Sequence, residues 1–178
     1  MKLSRTAYVI LGMLGFGAGS GYDIKTAVDR STRFFWAASY GQIYPDLARL
    51  EKAGLVAGKS SPTGARKRKE YTLTEAGRAE LVRWLEAPAS PPELRDENLL
   101  KLFFADALPV DQALEHVRER RLIHEEFLAI LREIAPPPGT DPPFADVVLR
   151  YGIAYAEFNV AWCEEQEARL RDAAWEAA

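Results

Sequence analysis

Gln42, Tyr44, Arg49 and Lys52 place hydrogen-bond donors along one side of a helical stretch, and Arg66, Lys67, Arg68 and Lys69 follow in direct succession a few residues later. Glutamine is suited to the adenine edge and arginine to the guanine edge, and a major groove about 12 Å wide admits one α-helix. Four adjacent cations are too many for Glu70 alone to neutralise. A hairpin lying beside a groove-bound helix would bring them to the flanking phosphates or the minor groove. An arbitrary run of charge is usually a solvated face. Its position in a wing next to a groove-sized helix favours phosphate contact instead.

The elements that must position these groups are legible in spacing and punctuation. Ser4 can cap a first helix to about Leu14, in which Ala7, Ile10, Leu11 and Leu14 recur at the interval of a buried stripe. Gly12, Gly15, Gly17, Gly19 and Gly21 then crowd ten positions, and Ser20 can cap a second helix to about Arg30. RFFWAA, 33–38, is an aromatic connector whose rings are expected to pack on the core. A third helix spans 39–53 and stops at Gly54, with Ile43, Leu47 and Leu50 within about 60° of one another on its inner side. Gly41, Pro45, Ala48, Arg49 and Lys52 lie opposite, flanked by Gln42 and Tyr44. Because proline lacks an N–H, the regular part should start at Gly41 or Gln42, so that Pro45 falls in the first turn. Strands at 55–59 and 69–73 enclose SSPTGARKR, whose Pro62 and Gly64 supply turn chemistry. Thr74 caps a fourth helix to about Glu86, with Leu81, Val82 and Leu85 facing inward. Three helices, a hairpin and a further helix are the content of a winged helix-turn-helix domain.

Charge divides along the chain in the same place. Through Glu86 there are 14 Lys or Arg against 8 Asp or Glu, a balance of +6, and from Ala87 onward 9 against 18, a balance of −9. The net −3 conceals a basic half that suits phosphates. The 48% apolar composition is that of a globular protein with a core. A single Cys163 leaves no disulfide framework and, with two histidines, no metal cluster, so neither metal nor cofactor is expected and the cytoplasm fits best. AYVILGML, 7–14, is too short to span a bilayer and lacks a cleavage region, so no membrane association is expected. Enzyme readings are weak. Gly15 and Gly17 begin a dinucleotide-loop spacing, but Ser20 stands at the third glycine position and no second βαβ unit follows. His116 and His124 do not form a zinc motif, and Cys163 has no neighbouring histidine in sequence.

APASPP, 87–92, opens a linker taken as 87–95, and the chain beyond it is helical throughout. The segment 96–107 contains LLKLFF, apolar on nearly every side and so expected to be buried on more than one face. Asp111 should cap a helix to about Ile134 with Ala113, Val117, Ile123, Phe127, Ile130 and Ile134 in one row, broken at Arg120. APPPGTDPP, 135–143, reads as a rigid turn. The last helix aligns Phe144, Val148, Tyr151, Tyr155, Phe158 and Trp162 as a heptad seam. With Phe103 and Phe104, the aromatics Tyr151, Tyr155, Phe158 and Trp162 could line an effector pocket, or the stripe could pack against a partner subunit. Arg120, Arg121 and His124 could hold an effector carboxylate, with an ion pair to Glu125 or Glu157 as the simpler role.

GQIYPDLARLEKAGLV and RKRKEYTLTEAGRAEL together resemble the DNA-binding domain of the PadR family of bacterial transcriptional regulators. Gly41, Tyr44, Pro45, Leu47, Leu50, Gly54, Leu55, Tyr71, Leu73, Thr74, Gly77 and Leu81 stand in family positions, and SGYDI, 20–24, is similar as well. The second half resembles the larger-tailed branch with a virulence-activator-like C-terminal domain. The resemblance implies a mainly α protein, with a winged helix-turn-helix domain bearing a two-stranded wing over 1–86 and an all-α dimerisation and effector domain over 96–178. It further implies a homodimer on an inverted-repeat double-stranded operator, usually a repressor, released by a small effector for which the aromatic residues suggest an aromatic compound. The contact set becomes Ser39, Tyr40, Gln42, Tyr44, Arg49 and Lys52 on the helix, with Arg66, Lys67, Arg68 and Lys69 in the wing. Many members carry Ser-Leu where this chain has Gln42-Ile43, so base preference there does not transfer. The alternative is a winged-helix protein-interaction module without DNA binding, which has little need of a +6 half. Arg68→Ala is expected to lower duplex affinity across all sequences and to flatten its salt dependence, measured by titration at several ionic strengths; unchanged binding would remove the wing from the interface.

Overall fold

The structure is a computed structural model that describes residues 3–61, 68–134 and 144–176, apart from the side chains at 61, 68 and 173–176. The chain divides into two compact units, Met1–Pro91 and Pro92–Ala178.

In the first unit α1, Arg5–Gly15, starts where the Ser4 hydroxyl accepts the Ala7 N–H at 3.0 Å. It buries Ala7, Ile10, Leu11 and Leu14, the stripe expected from spacing. Gly17 has φ +96°, a conformation open to glycine, and lets the chain reverse into α2, Gly21–Asp29, capped by Ser20. A 3₁₀ turn, Thr32–Phe34, follows. The connector's rings do not all reach the core as expected: Phe35 and Trp36 are exposed and Ala38 is buried. The turn ends at Phe34, so Phe35 and Trp36 follow in irregular backbone that does not hold their rings against the core.

α3, Tyr40–Lys52, buries Ile43, Leu47 and Leu50 completely, and they share a core with Ile10, Leu11, Ile24 and Val28. It ends in a Schellman turn, with Gly54 at φ +70° donating its N–H to the Glu51 carbonyl and Leu55 donating to that of Leu50, both at 2.9 Å. The helix begins one residue earlier than expected, so Pro45 sits in the second turn rather than the first. The carbonyl that Pro45 cannot serve belongs to exposed Gly41, where water can replace the missing donor.

β1, Val56–Ser61, and β2, Arg68–Leu73, pair antiparallel in a register running from Val56 opposite Leu73 to Ser61 opposite Arg68. The hairpin is held to the helices by the Tyr71 N–H, which donates to the Gly19 carbonyl at 2.7 Å, and by the Thr74 hydroxyl, which donates to the Gly54 and Leu55 carbonyls. Thr74 also caps α4, Glu75–Glu86. This helix meets α1 through Trp84, stacked on Tyr8 at 4.7 Å, while the Tyr8 hydroxyl donates to Glu80. Val82 and Leu85 face outward, contrary to the expected inner row, because the packed stripe is Gly77, Leu81 and Trp84.

In the second unit Asp96 caps α5, Glu97–Phe103, and a 3₁₀ turn at Ala105–Ala107 replaces the expected continuation of that helix. LLKLFF is not buried on several faces: Leu100, Phe103 and Phe104 are exposed. α6, Val110–Glu133, begins after Pro109, so Asp111 lies within the helix rather than capping it. α7, Phe144–Glu176, runs antiparallel to α6, as the pairs Arg121–Glu167 and Arg132–Glu157 require. The expected apolar row of α6 is out of phase, since Ile123 and Ile130 are exposed and the buried stripe is Leu114, Val117, Arg120, His124, Leu128 and Leu131. Arg120 does not interrupt that stripe; it belongs to it, donating to Asp96 and to Asn159 at 2.7 Å each. The matching stripe of α7 is Gly152, Ala156, Asn159, Cys163 and Glu167, which leaves the aromatic seam beside it outside the unit's core. The expected rigid turn at 135–143 lies outside the described residues.

Gly77 marks the tightest approach in the first unit, because a Cβ there would lie 2.0 Å from the Leu55 carbonyl oxygen. Gly77→Ala should therefore cost at least about 2 kcal/mol, since a backbone oxygen has no rotamer to escape into. In a thermal melt this unit's midpoint is expected to fall by roughly 10 °C; an unchanged midpoint would contradict the close contact.

Candidate nucleic-acid interface

Burial of Ile43, Leu47 and Leu50 turns the opposite side of α3 to solvent, and that side carries Ser39, Tyr40, Gly41, Gln42, Tyr44, Pro45, Ala48, Arg49 and Lys52, all exposed. Its centre is made of small residues. A groove floor can approach the helix there, with longer donors on either flank. Tyr40 and Tyr44 stack at 6.0 Å on one flank, and the Lys25 ammonium lies 5.8 Å from the Tyr40 ring. Tyr44 lies across Gly21, where a Cβ would meet the ring at 2.6 Å. Glycine at the start of α2 is thus what allows this tyrosine to lie flat against the domain.

On the other flank Gln42 already has work within its own helix. Its Oε1 accepts the Ser39 N–H at 3.0 Å and the Ser39 hydroxyl at 3.2 Å, so the amide nitrogen is the end left to reach outward. Arg49 is 71% exposed, yet its NH1 donates at 2.9 Å to the carboxylate of Asp46, whose side chain is 8% exposed. The second oxygen of Asp46 accepts the hydroxyl of Ser4. Sequence reasoning missed Asp46, although the signal existed: an acid three residues before Arg49 and on the same side as Ile43, Leu47 and Leu50.

The wing cations separate. Arg66 and Lys67 lie outside the described residues, and Arg68 is described only through its backbone, which pairs with Ser61. Lys69 donates to Glu51 at 2.6 Å and lies 5.4 Å from the Tyr71 ring. The Glu51 bond holds its ammonium above the ordinary lysine pKa. Lys69 is therefore occupied at the domain surface, and Glu51, not Glu70, is the acid that meets it.

In the second unit Phe103 is 79% and Tyr151 67% exposed, with Phe104 and Phe158 similarly open and Tyr155 and Trp162 partly buried. Phe103 packs edge-on against Phe104 at 5.1 Å, Tyr151 stacks on Tyr155 at 6.5 Å, and Tyr155 meets His124 edge-on at 5.6 Å. An open groove of about 540 Å³ runs past Leu100, Lys101, Phe104, Leu108 and His116, and Phe104 is its one aromatic from the expected set. Arg121 pairs with Glu125 as expected and also with Glu167. Arg132, not Arg120 or Arg121, takes Glu157. Burial and the adjacent Arg120 cation hold the His124 pKa below 6.5. For Asp96, burial alone would raise the pKa, but the Leu99 N–H and the Arg120 guanidinium outweigh it and keep the carboxyl below its ordinary value. Burial pushes the Cys163 thiol up. Among the described residues no cluster of three or more His, Cys, Asp or Glu could hold a metal, and no helix is long and apolar enough to cross a membrane.

Comparison with known proteins places this geometry. Residues 10–83 match the model of the transcriptional regulator PadR-like family, and residues 94–171 match that of the virulence activator alpha C-terminal domain. The negative transcriptional regulator PadR of Bacillus subtilis is 36% identical over 168 residues, covering 88% of this chain and 92% of the relative. The crystal structure of Bacillus subtilis PadR in complex with operator DNA superposes with a TM-score of 0.82 at 30% identity, over 94% of this chain and 99% of that one. The same regulator in complex with p-coumaric acid gives 0.74 at 31% identity, over 93% and 98%. An outward-facing third helix, a two-stranded wing and an all-helical second unit, matched over nearly the whole length of both chains, make this protein a member of the PadR family of transcriptional regulators with a virulence-activator-type C-terminal domain.

Proposed function

We propose that this chain is a sequence-specific DNA-binding repressor of transcription, active as a homodimer on an inverted-repeat operator and released by a small aromatic effector in the cytoplasm. The observation that carries the proposal is the division of α3, whose inner side is sealed while its outer side presents small residues flanked by Gln42, Arg49 and Lys52. Residues 1–86 act as the DNA-binding domain, residues 87–95 as a linker and residues 96–178 as the dimerisation and effector domain. Ser39, Tyr40, Gln42, Tyr44, Arg49 and Lys52 form the groove contact. Arg66, Lys67 and Arg68 serve as the backbone clamp, with Lys69 contributing less because Glu51 already holds it. A protein-only adaptor would have no use for this arrangement on a half with a balance of +6.

Exposed rings at Phe103, Phe104, Tyr151 and Phe158 form the kind of apolar surface that a second copy covers. The complexes of the Bacillus subtilis regulator with operator DNA and with p-coumaric acid support both a DNA ligand and an aromatic acid as the releasing signal. Selection of bound sequences from random duplex DNA, repeated with a panel of small aromatic acids, tests the proposal. An enriched inverted repeat, displaced by at least one acid, is expected. Binding should weaken by about a thousandfold or more between about 50 and 200 mM salt if six or more phosphates are engaged. Absence of duplex affinity even at low salt would overturn it.

A further inference from the structure

Among the described residues, Arg49 is the one side chain of the outer helical face held by a buried charge. We propose that Asp46 is a positioning residue that presents Arg49 to a guanine in the major groove, making Arg49 the principal base-selective contact of α3. This rests on the DNA-binding reading above and deepens it by assigning which base is chosen and what fixes the choice.

The geometry is a short chain of hydrogen bonds running from core to surface. The Ser4 hydroxyl accepts the Ala7 N–H and donates to one Asp46 oxygen, while the other oxygen accepts Arg49 NH1 at 2.9 Å. The carboxylate is thereby pinned to the first turn of α1 and cannot follow Arg49 outward. A guanidinium carries five N–H donors in a rigid fork. With NH1 committed to Asp46, the Nε and NH2 edge retains two parallel donors, the pattern that matches guanine O6 and N7. An arginine side chain otherwise carries large rotamer freedom. Holding this one in the free protein removes part of the cost of ordering it on DNA.

Its neighbours are poorly placed to choose a base. Adenine recognition by an amide requires the carbonyl to accept as the nitrogen donates. Gln42 has its carbonyl engaged by Ser39, so reading adenine would uncap its own helix. Lys52 is a freely rotating point charge with three donors and no fork.

The experiment compares wild-type protein with Asp46→Asn, Asp46→Ser and Arg49→Lys in selection from random duplexes. Binding is then measured to the selected operator, to the same duplex with the preferred guanine replaced, and to an unrelated duplex. The ratio of the first two affinities reports base choice and is insensitive to partial unfolding, because the same folded molecules bind both. Wild type should favour one guanine per half-site, and Arg49→Lys and both Asp46 variants should reduce that ratio about tenfold. For the Asp46 variants, affinity for the unrelated duplex should stay within about threefold, since the phosphate contacts are untouched. A merely structural Asp46 would weaken all three duplexes alike and leave the ratio unchanged, overturning the inference while the DNA-binding reading stands. If wild-type protein enriches no sequence at all, both fail.

Discussion

Three aliphatic side chains, Ile43, Leu47 and Leu50, lock α3 against α1 and α2, and the placement of every other functional group follows from that lock. Each contributes about 1.5–3 kcal/mol on burial. Together they fix the rotation of the helix about its axis to within the width of one side chain. Once that rotation is set, Gly41, Pro45 and Ala48 must face outward, with Gln42 and Arg49 on one flank and Tyr44 on the other. The same packing fixes where the wing emerges, because the Schellman turn at Gly54 leads directly into β1 and Thr74 ties the end of β2 back to the Gly54 and Leu55 carbonyls. Helix, turn and hairpin are therefore tied to one another, and a substitution at Gly54 or Gly77 would be felt on the outer side of α3 without touching it.

Much of this first unit is legible without coordinates. Apolar spacing of three and four identifies the inner sides of α1 and α3, Ser4, Ser20 and Thr74 announce helix starts, and glycines mark the ends. What is lost is the role of a polar residue on a buried side. Asp46 lies among Ile43, Leu47 and Leu50, where an apolar pattern alone treats it as noise. It is burial of a charge, made tolerable by Ser4 and Arg49, that gives it meaning. Pro45 misleads in the opposite way: an interior proline loses a bond and crowds the carbonyl four residues back, yet here that carbonyl belongs to exposed Gly41, where water can take the place of the missing donor.

The second unit shows the same lesson at larger scale. The packed seam between α6 and α7 includes Arg120, His124, Asn159 and Glu167, so a search for apolar rows settles on Ile123 and Ile130 instead, one step around the helix. Inside the seam Arg120 bridges Asp96 and Asn159, while Glu167 receives Arg121 and Arg171. Removing one partner from such a buried set costs about 3–5 kcal/mol, because the other charge is left unpaired. Meanwhile Gly152, Ala156 and Cys163 let the helices close tightly, and the rings of Tyr151 and Phe158 are turned outward. The polar set thus belongs to the fold of one chain, and the exposed aromatic rings stand outside that seam.

Methylation interference on the selected operator tests the central claim most directly, because guanine N7 lies in the major groove, where the outer side of α3 is held to bind. Two clusters of guanines whose methylation blocks binding are predicted, related by a dyad and separated by about 34 Å or a multiple of it. Binding that tolerates methylation at every guanine N7, or interference confined to minor-groove adenines, would contradict the account.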